Sequence, residues 1–217
     1  MIRSWILGGA AALALAGAAQ ATTVADPTGD FIATYTGPHQ DDLDVTSFSV
    51  TYNNAMSAFL IQSAMAGTID PLLGGFYAIG VNTGTGPASF ASIGRPDVKF
   101  NQVISVRKDG SASIGANTLP GGSVTITDNA FAVIVPLSLL PTTGFDALQY
   151  GFNIWPRSST TPGTAVISDF APENATISVA GSAVPEPASW AMMALGFGAC
   201  GLALRTRRNQ PELSRAI

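Results

Sequence analysis

Phe48-Ser49-Val50-Thr51-Tyr52 alternates a large apolar side chain with a small polar one. Successive side chains of an extended strand point to opposite faces, so this stretch reads as a half-buried β-strand with its three large residues inward. The alternation recurs at Phe131-Ala132-Val133-Ile134-Val135 and at Tyr150-Gly151-Phe152-Asn153-Ile154. Further strand candidates lie at 31–35, 58–64, 76–81, 90–93, 103–106, 124–127, 165–167 and 177–179. Turn signals punctuate them: Asn53-Asn54, Thr83-Gly84-Thr85-Gly86, Asp109-Gly110, Pro120-Gly121-Gly122 and Asp128-Asn129. Asp109-Gly110 suits a tight hairpin, because glycine tolerates the positive φ such a turn demands. No segment away from the termini carries a sustained 3.6-residue apolar stripe, and only 137–140, held between Pro136 and Pro141, reads as a single helical turn. The pattern predicts an all-β body, an antiparallel β-sandwich of jelly-roll-like kind, with a closed barrel as the alternative.

The two ends obey other rules. Met1-Ile2-Arg3 supplies a positive start, residues 5–18 an apolar core, and Ala19-Gln20-Ala21 a small-x-small cleavage site, so 1–21 reads as a secretory signal peptide. A membrane anchor would need roughly 20 apolar residues, and this run is shorter. Near the other end, residues 188–204 carry no charge and as a helix would reach about 25 Å. Pro185 and Pro187 prevent that helix from extending backwards, and Arg205, Arg207 and Arg208 follow it, where the positive-inside rule holds them in the cytoplasm. The expected organisation is a signal peptide at 1–21, a sandwich domain at 22–183, a sorting segment at 184–208 and a cytoplasmic tail at 209–217.

The string Pro185-Glu186-Pro187, then Ala188-Ser189-Trp190, an apolar helix and the arginine cluster closely resembles the PEP-CTERM sorting signal. The resemblance implies export by a Gram-negative bacterium, transient anchoring in the inner membrane, and cutting by an exosortase-type membrane peptidase. Delivery to the cell surface or to the extracellular matrix of a biofilm would follow. The nine residues beyond the arginines are more than many such signals carry.

Within the body, twelve acidic side chains face five basic ones. That net of −7 repels phosphates and argues against nucleic acid as a partner. The one cysteine, Cys200, lies in the apolar terminal helix, so the body can form no disulfide and holds no catalytic thiol. A serine hydrolase would have to rest on the sole histidine, His39, which sits in a Gly- and Pro-bearing loop. Glycoside hydrolysis needs two facing carboxylates, and the sequence nominates no pair.

Two sets of binding residues can be nominated. Asp26, Asp30, Asp41, Asp42 and Asp44 crowd the start of the body, and a calcium ion takes six to eight oxygens of this kind; equally, aspartates serve solvated turns. Trp155 falls out of step with the inward residues Phe152 and Ile154, so with Arg157 and Asn153 it could offer a ring and polar groups to a sugar, as could Tyr77 with Asn82. The alternative is that Trp155 caps the sandwich edge under the aliphatic stem of Arg157. The segments "DPTGDF", "DDLDVTSFSVTYNN", "VPLSLLP", "FNIWPRSS" and "ISDFAPENATISV" also resemble DOMON and family 9 carbohydrate-binding sandwiches. That resemblance implies ligand or sugar binding and a structural calcium. The reading that results is a non-enzymatic surface or exopolysaccharide-matrix protein with a structural or adhesive role; the alternatives are a carbohydrate-binding module and a surface hydrolase.

Overall fold

A computed structural model of the chain describes residues 21–179. The predicted signal peptide up to residue 20, with Ala19, and the sorting residues Pro185, Glu186, Pro187, Trp190, Arg205, Arg207 and Arg208 lie outside them.

The strands are β1 (Ala21–Ala25), β2 (Val45–Asn53), β3 (Ala58–Met65), β4 (Phe76–Asn82), β5 (Gln102–Arg107), β6 (Ala112–Ile114), β7 (Asn117–Thr118), β8 (Val124–Thr127), β9 (Ala130–Pro136), β10 (Gly151–Arg157) and β11 (Ile177–Ser178). They form one sheet in the order β1-β2-β3-β9-β8 and a second in the order β11-β10-β4-β5-β6-β7. Every pairing is antiparallel. The chain crosses between sheets after β3, β7 and β9, and hairpins supply most other connections. In the β5–β6 hairpin Gly110 takes φ +84°, while Asp109 Oδ1 accepts hydrogen bonds from the N–H and hydroxyl of Ser111.

The alternation at 48–52 does what its period requires. Phe48 and Val50 turn inward with Phe59, Ile61 and Val133 of the first sheet, against Tyr77, Ile79, Ile104, Phe152 and Ile154 of the second. Phe59 and Phe152 meet with ring centroids 5.0 Å apart, and Tyr77 stacks on Phe131 at 4.8 Å. Such a core, filled from two facing sheets, is a sandwich.

The outer face of the second sheet is buried too. Trp155, Ala78, Phe90, Val98, Ile167 and Phe170 form a second apolar cluster there, joined by Ile32 and Tyr35. The connections β1–β2, β4–β5 and β10–β11 supply its cover. Residues 31–35 and 165–167, expected as strands, are therefore loop segments, and 90–93 is a bridge followed by a 3-10 turn (Ala91–Ile93). Their apolar residues pack downward onto the sheet, and they pair only through the isolated bridges of Phe90 with Arg95 and Ile167 with Arg157. The single helical turn expected at 137–140 appears as a 3-10 turn, Leu137–Leu139. Gly80 lies beneath Trp155, where a Cβ would come within 2.5 Å of the indole.

At the open edges the two sheets meet. β1 borders the first sheet and β11 the second. Thr22 Oγ1 donates to Ser178 O at 2.8 Å across that seam.

Candidate functional site

The seam between β1 and β11 gathers the loops that carry the body's buried carboxylates. Beyond β1, Asp26 N still donates to Thr46 O at 3.0 Å. The chain then turns through Gly29, at φ +81°, whose N–H donates to Asp44 Oδ2 at 2.7 Å. This turn sets Asp30 beside Asp26. The same connection next lies along the β10–β11 loop, with Ile32 N donating to Ser168 O and Thr36 N to Ala165 O, each at 2.9 Å. Ser168 Oγ donates to Leu43 O at 2.7 Å.

The second loop contributes two further acids. Asp169 is fully buried; its Oδ2 accepts from Val45 N–H at 2.9 Å and its Oδ1 from Phe170 N–H at 2.6 Å. Glu173 forms an ion pair with Arg95. One carboxylate oxygen each from Asp26, Asp30, Asp169 and Glu173 come within 4.8 Å of one another. Asp26 Oδ2 and Asp30 Oδ1 are buried without a hydrogen-bond partner, and so is Oδ1 of Asp44, a residue only 3% exposed.

The electrostatics follow from burial and crowding. Desolvation pushes the Asp26 carboxyl up to about 8, and the charges of Asp169, Asp30 and Glu173 add to it. Burial likewise raises Asp169 to about 7 against the two N–H groups that favour its charged form, with Asp30 and Asp44 pushing it further up. Asp44 is raised by burial, with Asp30 and Asp41 adding repulsion against the stabilising Gly29 N–H. Glu173 is raised by burial while Arg95 draws it back. Four hard oxygen donors facing one another, with no imidazole or thiolate, form the kind of ligand set a divalent cation takes.

The aspartates nominated from sequence thus divide. Asp26 and Asp30 join the convergent set and Asp44 lies against their loop, whereas Asp41 is exposed and Asp42 points elsewhere. Asp42 Oδ2 is held 2.6 Å from Lys108 Nζ, both side chains almost wholly buried, and also accepts from Asp70 N–H at 3.2 Å. The sequence reading missed Asp169 and Glu173. Their only signal was a pair of acids four apart in a loop, which says nothing about what faces them.

The residues nominated for a sugar are occupied within the fold. Trp155 does project from the opposite face to Phe152 and Ile154, but it is 3% exposed and packed on Phe90 at 5.0 Å and Phe100 at 4.7 Å. Its ring offers no open face for stacking. Asn153, 1% exposed, donates from Nδ2 to Pro172 O at 2.6 Å and Ala175 O at 2.9 Å. Arg157 lies over the Phe76 ring and donates to Thr161 O and Gly163 O. Tyr77 is buried with its hydroxyl on Asp42 O, and Asn82 Oδ1 accepts from Gly84 and Gly86 N–H. His39 is an exposed loop residue whose ring stacks on Phe31 at 4.3 Å. A separate open groove of about 540 Å³ is lined by Phe100, Asn101, Gln102, Ser89 and Ser105 among others.

No helix among the described residues is long and apolar enough to cross a membrane. No curated protein and no solved structure matches the chain. Residues 183–208 match the PEP-CTERM protein-sorting motif, the segment identified by its Pro-Glu-Pro box, apolar run and arginine cluster. The chain is accordingly an exosortase substrate, exported, held transiently in the membrane and displayed at the surface.

Proposed function

We propose that the β-sandwich is a non-enzymatic structural or adhesive module of the cell surface or exopolysaccharide matrix of a Gram-negative bacterium, exported behind the signal peptide at 1–21. The observation that carries this reading is the sorting motif at 183–208, placed behind a body with its own two-sheet core. The function therefore belongs to a folded domain released at the surface. The internal engagement of Trp155, Arg157 and Asn153 favours a structural use of these residues over a ligand platform. Exopolysaccharide is the proposed matrix partner.

The test compares the protein recovered from a host with and without its sorting peptidase, by intact mass, and then measures retention of the mature body on the host's own matrix. Loss of the segment after the Pro-Glu-Pro box, together with matrix retention, is the expected result. Full-length protein in the medium of the competent host, or a mature body that washes free of the matrix, would refute it.

A carbohydrate-binding module is the second reading, and the groove beside Phe100 is the observation that favours it, since it sets an aromatic ring next to amide and hydroxyl side chains. Asn101 is already committed there, donating to the hydroxyls of Thr83 and Thr143 and accepting from Thr83 N–H, which leaves Gln102 as the groove's amide. A glycan array with a Gln102→Ala control separates the two readings.

A further inference from the structure

We infer that Asp26, Asp30, Asp169 and Glu173 bind one calcium ion, which fastens the β1–β2 loop to the β10–β11 loop across the seam between the sheets. The four carboxylates bring one oxygen each to within 4.8 Å of the others, no farther apart than opposite oxygens of one calcium shell at the typical ~2.4 Å. Their remaining oxygens can bring the coordination to the six to eight that calcium takes.

A second observation stands outside that set. Asp44 is only 3% exposed; its Oδ2 is anchored on Gly29, inside the loop that bears Asp26 and Asp30, while its Oδ1 has no partner. Its charge acts on Asp169, and that of Asp30 acts on it. A buried carboxylate oxygen without a donor is costly, and here it accompanies two more, Asp26 Oδ2 and Asp30 Oδ1, on the same loop. Arg95 is the basic side chain paired into the set, and its ion pair is with Glu173. A cation answers the other acids together.

The ligand chemistry selects among metals. All donors are carboxylate oxygens, which suits calcium and magnesium and disfavours zinc or copper, whose sites draw on imidazole and thiolate. Magnesium dehydrates reluctantly and keeps several waters, whereas four converging carboxylates fit the larger, more tolerant calcium shell. The two pairs of ligands lie far apart in the chain, so the ion closes a long loop, where a clip restricts the unfolded chain most.

The experiment uses the full-length chain purified in detergent micelles and stripped with chelator. Thermal unfolding is followed by near-ultraviolet circular dichroism in EDTA, in calcium chloride and in magnesium chloride, and bound calcium is counted by equilibrium dialysis. Calcium at about one hundred times its dissociation constant is expected to raise Tm by about 5–10 °C, magnesium by much less, with one calcium per chain. Asp30→Asn and Glu173→Gln should lose the calcium increment and the bound ion; in EDTA Asp30→Asn should melt at or above the wild type, because it relieves like-charge repulsion. Asp146→Asn, which alters an exposed acid in the β9–β10 connection and keeps a capping side chain there, should retain both. Equal wild-type melting in EDTA and calcium with no ion retained on dialysis would overturn the assignment. So would an undiminished increment in Glu173→Gln. If a variant does not fold, the wild-type dialysis and melting decide alone.

Discussion

Replacing Lys108 with methionine isolates the one ion pair among the described residues whose two side chains are both almost wholly buried. Lys108 Nζ lies 2.6 Å from Asp42 Oδ2 and 3.0 Å from Gly74 O, with the two side chains 3% and 2% exposed. Methionine fills most of the lysine stem but removes the charge and both hydrogen bonds. Asp42 would keep only the Asp70 N–H on that oxygen, and its Oδ1 already has no partner. Breaking a buried pair by deleting one partner costs about 3–5 kcal/mol. For a domain of this size, roughly 2–4 °C per kcal/mol places the loss at about 6–20 °C in Tm. Thermal and urea unfolding at fixed calcium would read it. The double variant Asp42→Leu with Lys108→Met should recover at least half, because a well-packed apolar pair often matches a buried ion pair. A single variant within about 1 kcal/mol of the wild type, or a double variant no better than the single, would refute the reasoning.

Three other outcomes follow from the packing and the carboxylate cluster. Trp155→Ala should cost about 3–5 kcal/mol by opening a cavity against Phe90 and Phe100, and Gly80→Ala about 1–3 kcal/mol by driving a methyl into the indole; chemical denaturation checks both, and an unchanged midpoint for Trp155→Ala would mean an exposed ring. In chelator the stability should fall as pH rises from about 4 toward 8. Asp26 and Asp169 are held above their unfolded values, at about 8 and about 7, so their contribution is complete below the unfolded carboxyl range and is lost as pH climbs through those values. Melting in EDTA at about pH 5.5 and 8 measures the slope, and a higher Tm at the alkaline point would contradict it.

The strands that alternate against water were legible because a single sheet face was in question. Phe48, Val50, Phe131 and Val133 reach the core their period assigns. β10 was misread as half-buried for a physical reason: both its faces are covered, and the cover comes from Phe90, Phe100 and Phe170 in loops whose apolar content imitates short strands. β6 and β7, of three and two residues, are too short for any period to show. β1 begins at Ala21, inside a stretch that composition assigns to the end of the signal peptide. Asp42 and Asp44 are neighbours in sequence, yet Asp41–Leu43 forms a 3-10 turn, in which successive side chains fan out by about 120°. Asp42 therefore meets Lys108 while Asp44 meets Gly29. The convergence of Asp26 and Asp30 with Asp169 and Glu173 depends on two sheet edges meeting after three crossings, information that no local window contains.

The charge balance of the body sharpens what that convergence demands. Of its five basic side chains, Lys108 is taken by Asp42, Arg157 by the carbonyls of Thr161 and Gly163, and Arg95 by Glu173, while Lys99 and Arg107 are exposed. Asp26, Asp30, Asp44 and Asp169 are left without a basic side chain, and crowding several like charges in a partly buried site is unfavourable. Protons or a metal ion can offset that repulsion. Protons suffice in acid but become costly toward neutral pH, where an ordinary carboxyl has long since lost its own. A divalent cation supplies the charge at neutral pH and binds more tightly as the competing protons leave. The two agents therefore predict opposite slopes: stability falling with pH in chelator, and a calcium increment growing over the same range. An increment that shrank with rising pH would mean that calcium binds elsewhere on the surface and that these carboxylates are held by protons alone.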